Sequence, residues 1–284
     1  MMALLLEPFS YHYMVNAIWV CGLVGAVCSF LSAYLMLKGW SLMGDALAHS
    51  IVPGVALAYL LSLPYSAGAF FAGILAALSM SVVRKKTKLR EDAVIGLIFS
   101  SFFALGLLIA SLKPTAVSIQ TIVLGNILAI SPEDRNQVVI MAVITLVILI
   151  AKWRDLWAVF FDEVHARTVG LPVNFLKILF FVLLSAATVS SLQTVGACLV
   201  IAMVVTPGST AYLLTDRFRV LVPLSIAFGT VTSMVGVYLS YFLNASPGGL
   251  IVTLQTLLFL VLFVFAPKHG LLAKRRTLRK EATP

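Results

Sequence analysis

Nine long apolar runs, separated by short stretches in which the positive charge collects, constrain this chain more than any other feature. Runs bounded by polar residues or by Pro and Gly predict helices at roughly 16–38, 42–62, 64–83, 92–112, 136–152, 173–192, 196–214, 219–243 and 249–266. Each is close to the ~20 residues that a helix needs to cross a bilayer core. Lipid offers no hydrogen-bond partner to a bare backbone, so runs of this length have to be helical to span it. The chain is 61% hydrophobic and 11% charged, where a soluble domain carries about 25% charged residues. A soluble fold is therefore excluded. The expectation is an all-α, polytopic membrane protein of eight to ten spans, with residues 1–284 forming one transmembrane domain.

The net charge of +9 would point to nucleic acid or acidic partners in a soluble protein, so its placement decides its meaning. Eighteen of the twenty Lys and Arg residues lie in or beside five places: Lys38, Arg84 to Arg90, Lys152 to Lys177, Arg217 with Arg219, and Lys268 to Lys280. Basic residues flanking spans mark the cytoplasmic side. Strict alternation of the spans puts all five places on that side, with the N-terminus outside and the C-terminus in the cytoplasm. The charge thus reports topology, and no nucleic-acid partner is expected. A cytoplasmic loop over 153–172 and a basic tail over 267–284 follow from the same count. The segment through Tyr13 shows no basic n-region and no small-residue cleavage site, so the first span is expected to act as its own insertion signal.

Residues Val117 to Ile130 are apolar but only about half a bilayer long, with Gln120, Gly125 and Asn126 in the middle. They read as a short or re-entrant helix near the outer surface. Small residues recur four apart, as in Gly229 with Ser233, Gly236 with Ser240, and Gly68 with Ala72 and Ala76, which predicts close helix packing and no chemistry. Cys21, Cys28 and Cys198 fall in apolar spans without metal-site spacing and read as small core residues. His12 and His269 read as interface residues.

The second run contains Asp45 and His49, the clearest ionisable residues placed within a span. Such a group costs at least ~2.5–3.5 kcal/mol in the membrane and marks an ion path, a proton relay or a pairing partner. A spacing of four stacks the two side chains on one helical face, where one oxygen and one nitrogen suit Mn, Fe or Zn. Two ligands make too small a shell, so a second copy of the chain or a paralogue is expected to complete it. The same residues can instead bond each other or a neighbouring helix. Pro53 removes the donor that would satisfy the His49 carbonyl, which predicts a kink and a freed carbonyl. Thr206, Pro207 and Gly208 predict a second break, placed beside the path.

On the basic side, Asp162, Glu163, Ala166 and Gly170, followed by Pro172, predict a short amphipathic helix stopped by glycine. It can dock in a partner's groove or lie on the bilayer; His165 reads as a surface or docking residue. Glu91 with Asp92, and Glu133 with Asp134 after Ser131 and Pro132, read as first-turn acids that favour the helix dipole.

The run Gly44-Asp45-Ala46-Leu47-Ala48-His49, followed by Pro53-Gly54, resembles a signature of the metal-type ABC transporter permeases that import manganese, iron or zinc. Glu91-Asp92 through Gly96, Ala104-Leu105-Gly106, Leu124 to Leu128, Asp162-Glu163 with Ala166 and Gly170, and Pro207 look like that family in the same order. The similarity is strongest to chelated-iron and manganese permeases of bacterial inner membranes. It implies a dimer of permeases, two cytoplasmic ATPase subunits and an extracytoplasmic metal-binding protein. It also implies that Asp45 and His49 line the metal path, with no permanently bound cofactor, and that Asp162 to Gly170 carries the helix that docks on the ATPase. The basic tail lies outside the resemblance. The chain has no GxxxxGK[ST] phosphate loop, so ATP hydrolysis is expected on a separate subunit. HExxH is absent as well, which argues against a metalloprotease. The competing expectations are a proton-coupled secondary metal transporter that works alone, and a non-transporting scaffold.

Overall fold

The computed structural model describes residues 2–112, 127–266 and 268. The helices are α1 (Met2–Ser10), α2 (His12–Lys38), α3 (Ser41–Ser50), α4 (Val52–Leu60), α5 (Tyr65–Lys86), α6 (Glu91–Leu112), α7 (Pro132–Phe161), α8 (Glu163–Thr168), α9 (Val173–Val195), α10 (Ala197–Leu214), α11 (Phe218–Leu243) and α12 (Pro247–Phe265). No strand occurs among the described residues. Eight helices are long and apolar enough to cross a membrane, and the described part of α10, Ala202–Leu214, is apolar too. The all-α expectation therefore holds. The 117–130 segment lies outside the described residues up to 126, and only a short 3-10 turn, Ile127–Ala129, represents it. The tail lies outside them from 269 onward.

The central helix is α2. Its apolar residues run around the whole circumference, as a helix buried on all sides requires, and α7, α9, α10 and α11 pack around it. Glycine sets how close they come. A Cβ on Gly229 would meet the Ser29 side chain and the Gly25 carbonyl of α2, and one on Gly236 would meet Ile251 of α12. A second group, α3 to α6, packs beside this core through α9 and α10. There α4 and α5 meet backbone to backbone, because a Cβ on Gly54 would lie 2.1 Å from the Gly68 carbonyl oxygen. The small-residue ridges thus sit at close helix contacts, as read.

Two expected boundaries need correction. The fifth apolar run predicts a helix end near 152, but α7 continues to Phe161. Leu156, Val159 and Phe160 keep a buried face, so the helix persists although Lys152, Arg154 and Asp155 mark the end of the apolar stretch. Phe160 joins Tyr34, Phe180 and Trp40 in an aromatic cluster, and the Tyr34 hydroxyl donates to the Trp153 carbonyl at 3.0 Å. The break expected at Thr206 to Gly208 is absent as well, because α10 runs through Pro207. Proline removes one helical donor and displaces the next. The Ser32 hydroxyl of α2 accommodates this, accepting from the Gly208 N–H at 3.0 Å and donating to the Val205 carbonyl at 3.1 Å.

Candidate functional site

The turn between α2 and α3 aims the ionisable pair. Gly39 takes a left-handed φ of 71°, and the N–H groups of Gly39 and Trp40 return to the Met36 and Leu35 carbonyls, a glycine stop of the Schellman type. From Trp40, a rise of ~1.5 Å per residue puts Asp45 about 7.5 Å and His49 about 13.5 Å along the helix axis, one turn apart. Gly44 presses its bare face on Val204 of α10, which leaves Asp45 and His49 directed elsewhere.

That direction is toward α6. The His49 ring sits 5.5 Å from both Phe99 and Phe103, centroid to centroid. His49 Nε2 lies 3.3 Å from Asp45 Oδ1, with side-chain exposures of 26% and 36%. The Asp45 Oδ1 atom is covered, and its alignment with the imidazole is too poor for a hydrogen bond. The pair is thus partly covered by the bundle and partly open at its surface. Among the described residues no third His, Cys, Asp or Glu joins it. Immediately beyond, the helix breaks at Ile51, and Pro53 opens α4. The predicted kink is therefore present, and Pro53 has no N–H to offer the His49 carbonyl. Pro53 packs against Gly106 of α6, whereas Gly208, next to Pro207, packs against Ser32 of α2.

The second set of expected residues forms α8. Asp162 is its N-cap, its carboxylate accepting from the N–H groups of Val164 at 2.8 Å and His165 at 3.1 Å. Ala166 is the buried face. Gly170, at φ 83°, ends the helix, with the Leu171 N–H bonded to the Ala166 carbonyl at 3.0 Å. Glu163 reaches inward to Lys38 at 3.5 Å and, more closely, to Lys177. Burial raises the Glu163 carboxyl, but Lys177 and Lys38 outweigh it and hold it below the ordinary value of 4.5. Each of the four residues therefore builds or anchors α8. The outward surface belongs to residues the sequence did not single out: Phe161, Val164 and Val169, exposed by 70%, 73% and 64%. Their apolar side chains on a polar loop were the available signal. His165 is exposed, as read.

The basic places gather structurally. Lys38, Lys177 and α8 meet at one end of the bundle, Arg84 stacks over Trp40 at 5.2 Å, and Lys268 pairs with Asp216. The first-turn acids behave as read at α7, where the Ser131 hydroxyl accepts from the Asp134 N–H at 3.1 Å.

Known proteins are similar to this chain over nearly its whole length. The chelated iron transport system membrane protein YfeC of Yersinia pestis is 66% identical over 285 residues, covering 100% of this chain and 97% of that protein. The manganese transport system membrane protein MntB of Synechocystis is 44% identical over 280 residues, covering 99% and 92%. The solved structure of PsaBC from Streptococcus pneumoniae in complex with Fab superposes with a TM-score of 0.85 at 33% identity, covering 97% of this chain and 100% of that one. The model of one transporter family, ABC 3, matches residues 10–266; with the helix order and the Asp45–His49 pair inside that match, the chain belongs to the ABC 3 transport family.

Proposed function

We propose that this chain is the membrane-spanning permease subunit of an ATP-driven importer that carries Mn2+ or Fe2+, with Zn2+ chemically admissible, into the cytoplasm of a bacterium. The observation that carries the reading is the 3.3 Å approach of Asp45 Oδ1 to His49 Nε2. Two metal–ligand bonds of about 2.1 Å closing on that edge subtend about 100°, which suits neighbouring ligands of one ion. A covered carboxylate oxygen with no hydrogen bond supplies the charge that offsets a divalent ion's lost hydration. Two ligands from one chain bind weakly enough to release the ion, as conduction requires. A second permease copy or a paralogue brings the set to four. Phe99 and Phe103 fence the imidazole and limit water.

The remaining partners are a cytoplasmic ATPase dimer, docked on Val164 of α8 with Phe161 and Val169 at its two ends, and an extracytoplasmic binding protein that delivers the metal. The chain itself is not an enzyme, holds no permanent cofactor and spans the inner membrane as one domain with its C-terminus in the cytoplasm. Pro53 supplies the bend just beyond the ligand pair, and Pro207 stiffens the helix behind it. Membership of the ABC 3 transport family favours this over a proton-coupled transporter working alone.

Metal uptake by the chain reconstituted with its ATPase tests the reading. Asp45→Asn and His49→Ala each remove a contact worth at least a charge-assisted hydrogen bond, about 1.5–3 kcal/mol, so uptake at limiting metal falls about 10- to 100-fold with assembly intact. Uptake equal to the parent in both variants would rule the ligand pair out.

A further inference from the structure

Beneath α8 lies a pocket of about 180 Å3 that the transport reading does not use. One water needs roughly 10–15 Å3 of such space, so a tetrahedral oxyanion fits with room to spare. Three cations line it, Arg84 from α5, Arg167 from α8 and Lys177 from α9, with the amide of Asn174 and the hydroxyl of Ser81 beside them. Among the described residues the carboxylate in the lining is Glu163, and Lys38 and Lys177 already engage it. Arg84 and Lys38 lie close enough to Lys177 to repel its charge. Cationic side chains grouped around one cavity give it a positive potential that attracts an anion, and the pocket has the space for one. The lining cations belong to the basic places that mark the cytoplasmic side, and basic pockets between spans on that side take phosphate headgroups.

We infer that the Arg84, Arg167 and Lys177 pocket is a binding site for a phosphate-bearing anion, supplied by the headgroup of an anionic phospholipid or by free phosphate. An anion there bridges α5, α8 and α9, so its occupancy ties the docking helix to the spans. The inference stands independently of the metal pair.

Native mass spectrometry of the purified full-length chain in detergent tests it, with phosphatidylglycerol and phosphatidylcholine as probes and inorganic phosphate as competitor. Phosphatidylglycerol is expected to bind in preference to phosphatidylcholine. Arg84→Gln and Arg167→Gln are each expected to weaken it about fivefold, and Arg219→Gln, outside the pocket, to leave it unchanged. If Arg84→Gln fails to fold, as its contact with Trp40 allows, Arg167→Gln at an exposed position decides alone. Displacement of the lipid by millimolar phosphate assigns the site to free phosphate, and retention assigns it to the headgroup; both support the site. Equal binding of the two lipids, or binding unchanged in Arg167→Gln, overturns it. The assay contains neither metal nor ATPase, so its failure leaves the transport reading untouched.

Discussion

At the residue scale, two contacts determine whether this bundle closes. The Ser32 hydroxyl serves the Gly208 N–H that Pro207 displaces, and the group is buried. Removing one partner of a buried hydrogen bond costs about 1–3 kcal/mol. Ser32→Ala should therefore lower the thermal unfolding midpoint in detergent while Ser32→Thr retains most of it, and a midpoint unmoved in Ser32→Ala would contradict the assignment. The second contact is Gly54 against Gly68. A methyl on Gly54 cannot fit against a backbone oxygen, so α4 must move off α5, an overpacking that costs roughly 1–3 kcal/mol. Gly54→Val should lose more stability and more uptake than Gly54→Ala, because the displaced α4 begins two residues after the ligand helix ends. Equal stability for the two variants would mean that the helices part freely there.

At the element scale, α8 is a six-residue helix, too short to persist by propensity in water, so its caps and its anchor maintain it. Glu163→Gln removes the charge that Lys38 and Lys177 share. ATP hydrolysis by the assembled transporter should then continue while metal uptake falls several-fold. Coupling equal to the parent would show that the ion pairs are dispensable. The pH dependence has a definite sign. The folded carboxyl titrates below its ordinary value, so its stabilisation is complete above that value and disappears as pH falls through the lower folded one. Hydrogen exchange in α8 should therefore be flat, once corrected for intrinsic rates, between about pH 5.5 and pH 8, and lose protection only in more acid solution.

At the scale of the whole molecule, the gathering of Lys38, Lys177, Arg84 and α8 at one end is the structural counterpart of the basic loops. Single cysteines at Ser62 and Thr168, in a chain with Cys198→Ser, should react with an impermeant maleimide from opposite sides of the membrane. Cys21 and Cys28 are buried and should stay silent. Labelling of both positions from one side would overturn the topology. On the proposed reading, the part-exposed Asp45–His49 pair is completed by a second permease, so the whole path belongs to the assembly.

Hydropathy, charge placement and one-turn spacing are local properties, and they were legible in full. They located the spans, the basic side, the stacking of Asp45 on His49 and the stop at Gly170, because lipid obliges each span to carry its own apolar surface. Where α7 ends was not legible, since charged residues mark the end of lipid but do not end a helix whose buried face continues. Nor were the partners of Glu163, the Ser32 contact that carries α10 through Pro207, or the convergence of Arg84, Arg167 and Lys177. Those contacts join residues up to 176 positions apart, and only the packing of helices against α2 and α9 brings them within reach.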